Sequence, residues 1–296
     1  MHKNNRISVI AAIMLYIGFM AVILIVKGEF SQSASESNEK AIDCEKEFNR
    51  YREEFLKKYG INLIIYDDEE IPGIHRMTFK CAELDKDLLN FIKKMEDALL
   101  MYPQQMLKKE IKYNPKTGAM KKDMDIYLVT DIFDGEERYV GFTVKTETSR
   151  DIMFLDVCDN EVSNTLAHEL FHIIERKGIG ELELLFNKTF SADRWEKNNP
   201  QDFSYSEMQY EDDIKHLLGK TEDIYFVSSY AKTSRSEDMA EVFGMMMSYE
   251  EDNVPDSFYS PHVINKMRFI SEFLDKNYES ATDEAHWNRW LNSVDK

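Results

Sequence analysis

The segment Ser163-Asn164-Thr165-Leu166-Ala167-His168-Glu169-Leu170-Phe171-His172-Ile173-Ile174-Glu175 constrains the fold more than any other stretch of the chain. At about 100° per residue, His172 falls about 40° from His168, Glu175 near −20° and Glu169 near 100°. Leu166, Leu170, Phe171, Ile173 and Ile174 fill the opposite arc, with Ala167 at its border. The segment reads as a helix whose apolar face demands a core and whose narrow polar stripe carries both imidazoles. Two histidines four apart on one face can reach a single metal ion, and the intervening glutamate lies beside it as a base for water. His168 and His172 are therefore candidate metal ligands and Glu169 a candidate catalytic base.

The remainder of the chain can supply that core. Its 296 residues are 43% apolar and 12% aromatic, which excludes a disordered chain. A net charge of −18 argues against a nucleic-acid partner, because phosphate binding needs a basic footprint. Cys44, Cys81 and Cys158 are scattered and form no C-x-x-C pair, so neither a disulfide framework nor a thiolate zinc site is implied.

Residues 7–26 carry no charge and follow Lys3 and Arg6, a length of about 30 Å as helix. Residues 1–27 read as an uncleaved signal anchor with its N-terminus in the cytoplasm, a cleaved signal peptide being the alternative. Residues 28–40 form a Ser-rich tether, and residues 41–296 a single domain outside the cell.

Within that domain, residues 41–59 read as a helix stopped by Gly60, and residues 61–66 as a strand. Residues 85–113 form an amphipathic helix that Pro103 kinks or splits, with Leu88, Leu89, Ile92, Met95, Leu99 and Leu100 toward the core. Strands follow at 124–133, 139–145 and 151–157, the last expected to line the cleft and pair with an extended peptide. The central helix begins at Glu161 or Ser163 and is expected to end at Lys177-Gly178-Ile179-Gly180. Residues 181–226, acidic and aromatic, read as an insertion that shapes the cleft.

A zinc peptidase site needs a third protein ligand. Glu175 lies about one turn beyond His172 along the helix, too far to close the site. The segment Tyr230-Ala231-Lys232-Thr233-Ser234-Arg235-Ser236-Glu237-Asp238-Met239-Ala240-Glu241 offers a second helix, capped by Ser234 or Ser236. On it Glu237, Glu241, Gly244 and Ser248 share a thin polar stripe opposite Met239, Val242, Phe243, Met246 and Met247. Glutamates on such a stripe are costly to bury unless they meet a metal or its ligands.

H-E-L-F-H followed by Y-A-K-T-S-R-S-E-D-M-A-E-V-F resembles the catalytic domain of anthrax lethal factor and its relatives, which include the Pro-Pro endopeptidases. The resemblance covers roughly residues 60–278, with specific motifs only in the two helices. It implies an α+β, zincin-like fold of the gluzincin type: a small mixed sheet with a backing helix, the H-E-x-x-H helix and a second-glutamate helix. By position it implies one Zn(2+) per chain on His168, His172 and Glu237, with Glu169 as base. Tyr230 would steady the oxyanion, and Glu241, or less directly Glu175, would hold a ligand histidine. The implied activity is endopeptidase cleavage of a protein or peptide outside the cell. The rival is a non-catalytic surface protein that retains zinc, for which a general base has no use.

Overall fold

The computed structural model describes residues 43–67, 74, 76–114, 119–120, 122–144, 150–185, 192–206, 220–250, 254–282 and 284–294. The chain divides into two units, Met1–Asn49 and Arg50–Lys296. In the first, residues 43–49 are helical. The expected anchor at 7–26 and tether at 28–40 lie outside the described residues, among which no helix is long and apolar enough to cross a membrane.

In the second unit, helix α1 (50–59) leads to Gly60 and strand β1 (Ile61–Ile65), and β2 (Met77–Cys81) follows. Helix α2 (Lys86–Leu99) starts at Asp85, whose carboxylate accepts from the amides of Asp87 and Leu88. Pro103 splits the expected long helix into α2 and α3 (Gln104–Lys108). Leu88, Leu89, Ile92, Met95 and Leu99 are buried as their spacing requires. Leu100 is not: it lies one residue beyond α2, where the helical phase ends, and is 60% exposed.

Two short strands, β3 (Tyr113–Asn114) and β4 (Ala119–Met120), pair with each other. The main sheet is built on β5 (Met124–Asp134), which turns at Gly135 into β6 (Glu137–Tyr139) and β7 (Gly141–Val144) before β8 (Ile152–Asp156). Its order is β1-β5-β8-β7, with β1, β5 and β8 parallel and β7 antiparallel to β8. β2 and β6 extend the far half of β5, both antiparallel.

The sheet has two unlike faces. Leu63, Ile126, Leu128, Met153 and Leu155 are in register on one face and essentially fully buried. On the other, Phe142, Phe154 and Tyr127 stack across three strands, with centroids 4.5 and 4.9 Å apart. Strand β8 is covered on both edges, by β5 and β7, so it cannot pair with a peptide as expected. Among the described residues, the strand at the β8 end of this order is β7.

Helix α4 (Val162–Leu185) packs on the buried face and continues past Gly178 and Gly180. A glycine inside a helix costs about 1 kcal/mol and does not stop it unaided. After α5 (Ala192–Glu196) and a short turn at Tyr230–Lys232 comes α6 (Arg235–Ser248), which lies against α4. Helices α7 (Pro261–Asn277) and α8 (Arg289–Val294) complete the unit.

Candidate active site

The two polar stripes meet. Helix α4 offers Asn164, His168, His172 and Glu175, and α6 offers Glu237, Glu241, Gly244 and Ser248. The apolar arcs behind them, Leu166, Leu170, Phe171, Ile173 and Ile174 on α4 and Met239, Val242, Phe243, Met246 and Met247 on α6, are all buried to within 1%. Gly244 sets the close approach: a Cβ there would stand 3.0 Å from Asn164 Oδ1 and 3.2 Å from Asn164 O. One turn on, Asn164 Nδ2 donates to Ser248 Oγ at 3.2 Å. Ser234 rather than Ser236 caps α6, its hydroxyl accepting from the Glu237 amide at 3.1 Å.

At the other end of this contact, His168 Nε2, His172 Nε2 and Glu237 Oε2 form a triangle with edges of 3.0, 3.1 and 3.3 Å. Among the described residues this trio is the group of histidine, cysteine and acidic side chains able to hold a metal ion. A tetrahedral zinc site with arms of about 2.0–2.1 Å has ligand–ligand edges of about 3.3 Å, so the three atoms fit that ion. Glu175 is not among them. The outward nitrogen of His168, Nδ1, meets Glu241 Oε1 at 2.8 Å. That of His172 meets Ser236 Oγ at 3.2 Å, and the Ser236 hydroxyl donates in turn to Glu175 Oε2.

The charges support one another. Burial pulls the His168 imidazole down, but hydrogen bonds to Glu237 and Glu241 outweigh it and hold the metal-free ring up at about 10. Burial pushes Glu237 up, yet the two histidines bring it down to about 2. Burial first, and then the nearby Glu237, push the Tyr230 hydroxyl far up, so Tyr230 stays protonated and able to donate. Its ring centroid lies 6.1 Å from that of His168.

Glu169 sits one step around α4, buried, where Thr143 Oγ1 of β7 donates to its Oε2 at 2.7 Å. Gly141, two residues earlier on the same face of β7, leaves room for that helix. A Cβ there would come within 2.8 Å of Thr165 Cγ2 and 3.2 Å of Glu169 Cγ. Sequence reasoning missed Thr143, Gly141 and Ser236. Period-two spacing in β7, with Gly141 and Thr143 on one side, was the available signal for the first two.

Tyr139, Gly141, Phe142, Thr143, His168, Glu169, His172, Tyr230, Ser236 and Glu237 line a cleft of about 290 Å³. A further hollow of about 590 Å³ opens from it beside Glu137, Asn160 and Thr165. Val140 O accepts from Asp156 N, so the hydrogen-bonded pairs of this ladder are 140 with 156, 142 with 154 and 144 with 152. The backbone groups of Gly141 and Thr143 accordingly point away from β8, toward the outer edge. No residue of 192–206 or 220–226 lines the cleft or this hollow. Instead Trp195 Nε1 and the Tyr205 hydroxyl donate to Asp238 Oδ2, beneath the first turn of α6. The described part of the supposed cleft-shaping insertion thus anchors the helix that carries Glu237.

Among known structures, the chain is similar to a "putative zinc-binding metallo-peptidase" from Bacteroides caccae, with a TM-score of 0.51 at 16% identity. The likeness covers 84% of this chain and 91% of that one, and at this identity it supports the mixed α+β fold alone. No curated protein matches the sequence. The family that does match is described in its own terms and not as the lethal-factor group. Its match spans residues 31–197, which include His168, Glu169 and His172 but stop short of Tyr230 and Glu237. Over more than half its length, then, the chain belongs to the family described as "Putative zinc dependent peptidase (DUF5700)".

Proposed function

We propose that this chain is a zinc endopeptidase of the lethal-factor-like gluzincin type, holding one zinc ion on His168, His172 and Glu237. The observation that carries the reading is the triangle of ligand atoms with tetrahedral-edge spacing, beside a buried glutamate and a protonated tyrosine. Zinc in such a site lowers the pKa of water toward neutrality and polarises a scissile carbonyl.

The chain's own residues do the rest. An extended peptide pairs with the outer edge of β7 through the backbone groups of Gly141 and Thr143, which lays its carbonyl over the triangle. Glu169 takes the proton of the attacking water and delivers it to the leaving amine. Thr143 steadies the Glu169 carboxylate in the meantime. Tyr230 donates to the oxyanion of the tetrahedral intermediate. Glu241 accepts from His168 Nδ1 and fixes the tautomer that presents Nε2. The uncharged residues 7–26, preceded by Lys3 and Arg6, support an anchored enzyme that acts outside the cell.

The test uses two variants and a peptide library. Glu169→Gln is expected to bind about one equivalent of zinc and to lose cleavage, whereas Glu237→Ala is expected to lose the metal. Full cleavage by Glu169→Gln would overturn the mechanism, and unchanged zinc in Glu237→Ala would place the third ligand elsewhere. A wild-type chain that holds zinc but cleaves no peptide would be a binding protein.

A further inference from the structure

We propose that Ser236 is a positioning residue for the ligand His172, linking its outward nitrogen to Glu175 through a hydroxyl. The inference rests on the zinc reading above and adds a residue that reading does not use.

With Nε2 of His172 turned toward His168 and Glu237, the ring proton belongs on Nδ1. Ser236 Oγ, 3.2 Å away, is the partner that accepts it. A hydroxyl has one proton to give, and Ser236 gives it to Glu175 Oε2. The chain of bonds therefore has one polarity, from His172 through Ser236 to a carboxylate. That is what a ligand imidazole needs in order to stay in one tautomer and orientation.

The two histidines are served differently. Glu241 of α6 reaches the His168 ring directly, at 2.8 Å. For His172 the available carboxylate is Glu175, three residues further along its own helix, and Ser236 bridges the remaining distance from α6. Both imidazoles are thus oriented from the helix that also carries the third ligand. Capping does not account for Ser236, because Ser234 already fills that role.

The experiment measures zinc affinity in the full chain by competition with a chromophoric chelator, together with the absorption bands of the cobalt-substituted protein. Ser236→Ala is expected to bind zinc about 10- to 100-fold more weakly, with shifted cobalt bands. Ser236→Thr, which keeps the hydroxyl, should stay within about threefold of wild type, a small part of that range. The double variant Ser236→Ala/Glu175→Gln should be no weaker than Ser236→Ala, since Glu175 acts through the hydroxyl. If Ser236→Ala does not fold, Glu175→Gln carries the test and should itself weaken zinc by about tenfold. Wild-type affinity in Ser236→Ala, or in Glu175→Gln, would overturn the relay and leave the zinc site standing. Independent, additive losses would overturn it too. A wild-type chain that binds no zinc would overturn the site itself.

Discussion

Replacing Lys266 by Met should unfold this protein far more readily than its position away from the cleft suggests. Lys266 Nζ meets Asp238 Oδ2 at 2.7 Å, and both side chains are 0% exposed. Burial pushes the Asp238 carboxyl up and the Lys266 ammonium down, while their contact opposes both shifts. Three donors converge on Oδ2: Lys266 Nζ, Trp195 Nε1 at 2.9 Å and the Tyr205 hydroxyl at 2.7 Å. Oδ1 has no partner among the described residues. Met replaces the lysine stem, so the loss is that of the ammonium: its pair with Asp238, its bond to Tyr225 O at 2.9 Å and its place over the rings of Trp195 and Phe226. Leaving one charge of a buried pair uncompensated costs about 3–5 kcal/mol. At about 2–4 °C per kcal/mol for a unit of this size, Tm should fall by about 6–20 °C. The assay is thermal unfolding in chelator, run as a cycle with Asp238→Asn and the double variant. Asn can still accept from Trp195 and Tyr205, so the double variant should recover most of the loss. A Tm within about 2 °C of wild type for Lys266→Met would refute the reasoning. So would a double variant as unstable as the two single losses combined.

Two further outcomes follow from the site. Gly141→Ala would drive a methyl into Thr165 and Glu169, so stability should drop by about 1–3 kcal/mol and kcat should fall while bound zinc is retained. Metal analysis beside kinetics checks this, and unchanged kcat would remove Gly141 from the argument. The second concerns pH in the chelated protein. His168 is held above its usual 6.5, at about 10, so its contribution is complete below 6.5 and is lost as pH rises through 10. Glu237 is held below its usual 4.5, at about 2, so its contribution is complete above 4.5 and is lost as pH falls through 2. The Tm of the metal-free wild type should therefore decline from pH 7 to 10 more steeply than that of Glu237→Gln, and superimposable profiles would contradict the pairing.

The two helices of the site were legible because their periodicity is strong. Each apolar residue assigned to the inner arc of α4 or α6 is buried, and the stripe from Glu237 to Ser248 is the contact with α4. Strand order is not written in any one strand, which is why β8 was taken for the outer edge that belongs to β7. Ser236 was hidden by its neighbours: it lies about 100° off the Glu237 stripe, next to a cap residue of the same type. The bonds from Trp195 and Tyr205 to Asp238 span 43 and 33 residues, and no local pattern forecasts them. Trp195 and Tyr205 of that stretch are a footing for α6.

The pairing of α4 with α6 also has a consequence for the unfolded chain. His172 and Glu237 are 65 positions apart (237 − 172), so an ion held by both closes the intervening chain into a ring. By the loop-entropy relation used for cross-links, a ring of that length restricts the unfolded state by about 4 kcal/mol. Trp195, Tyr205 and Tyr230 all lie inside it. The ion would serve as a staple across the segment that holds up its own third ligand, and metal removal would loosen the support together with the site.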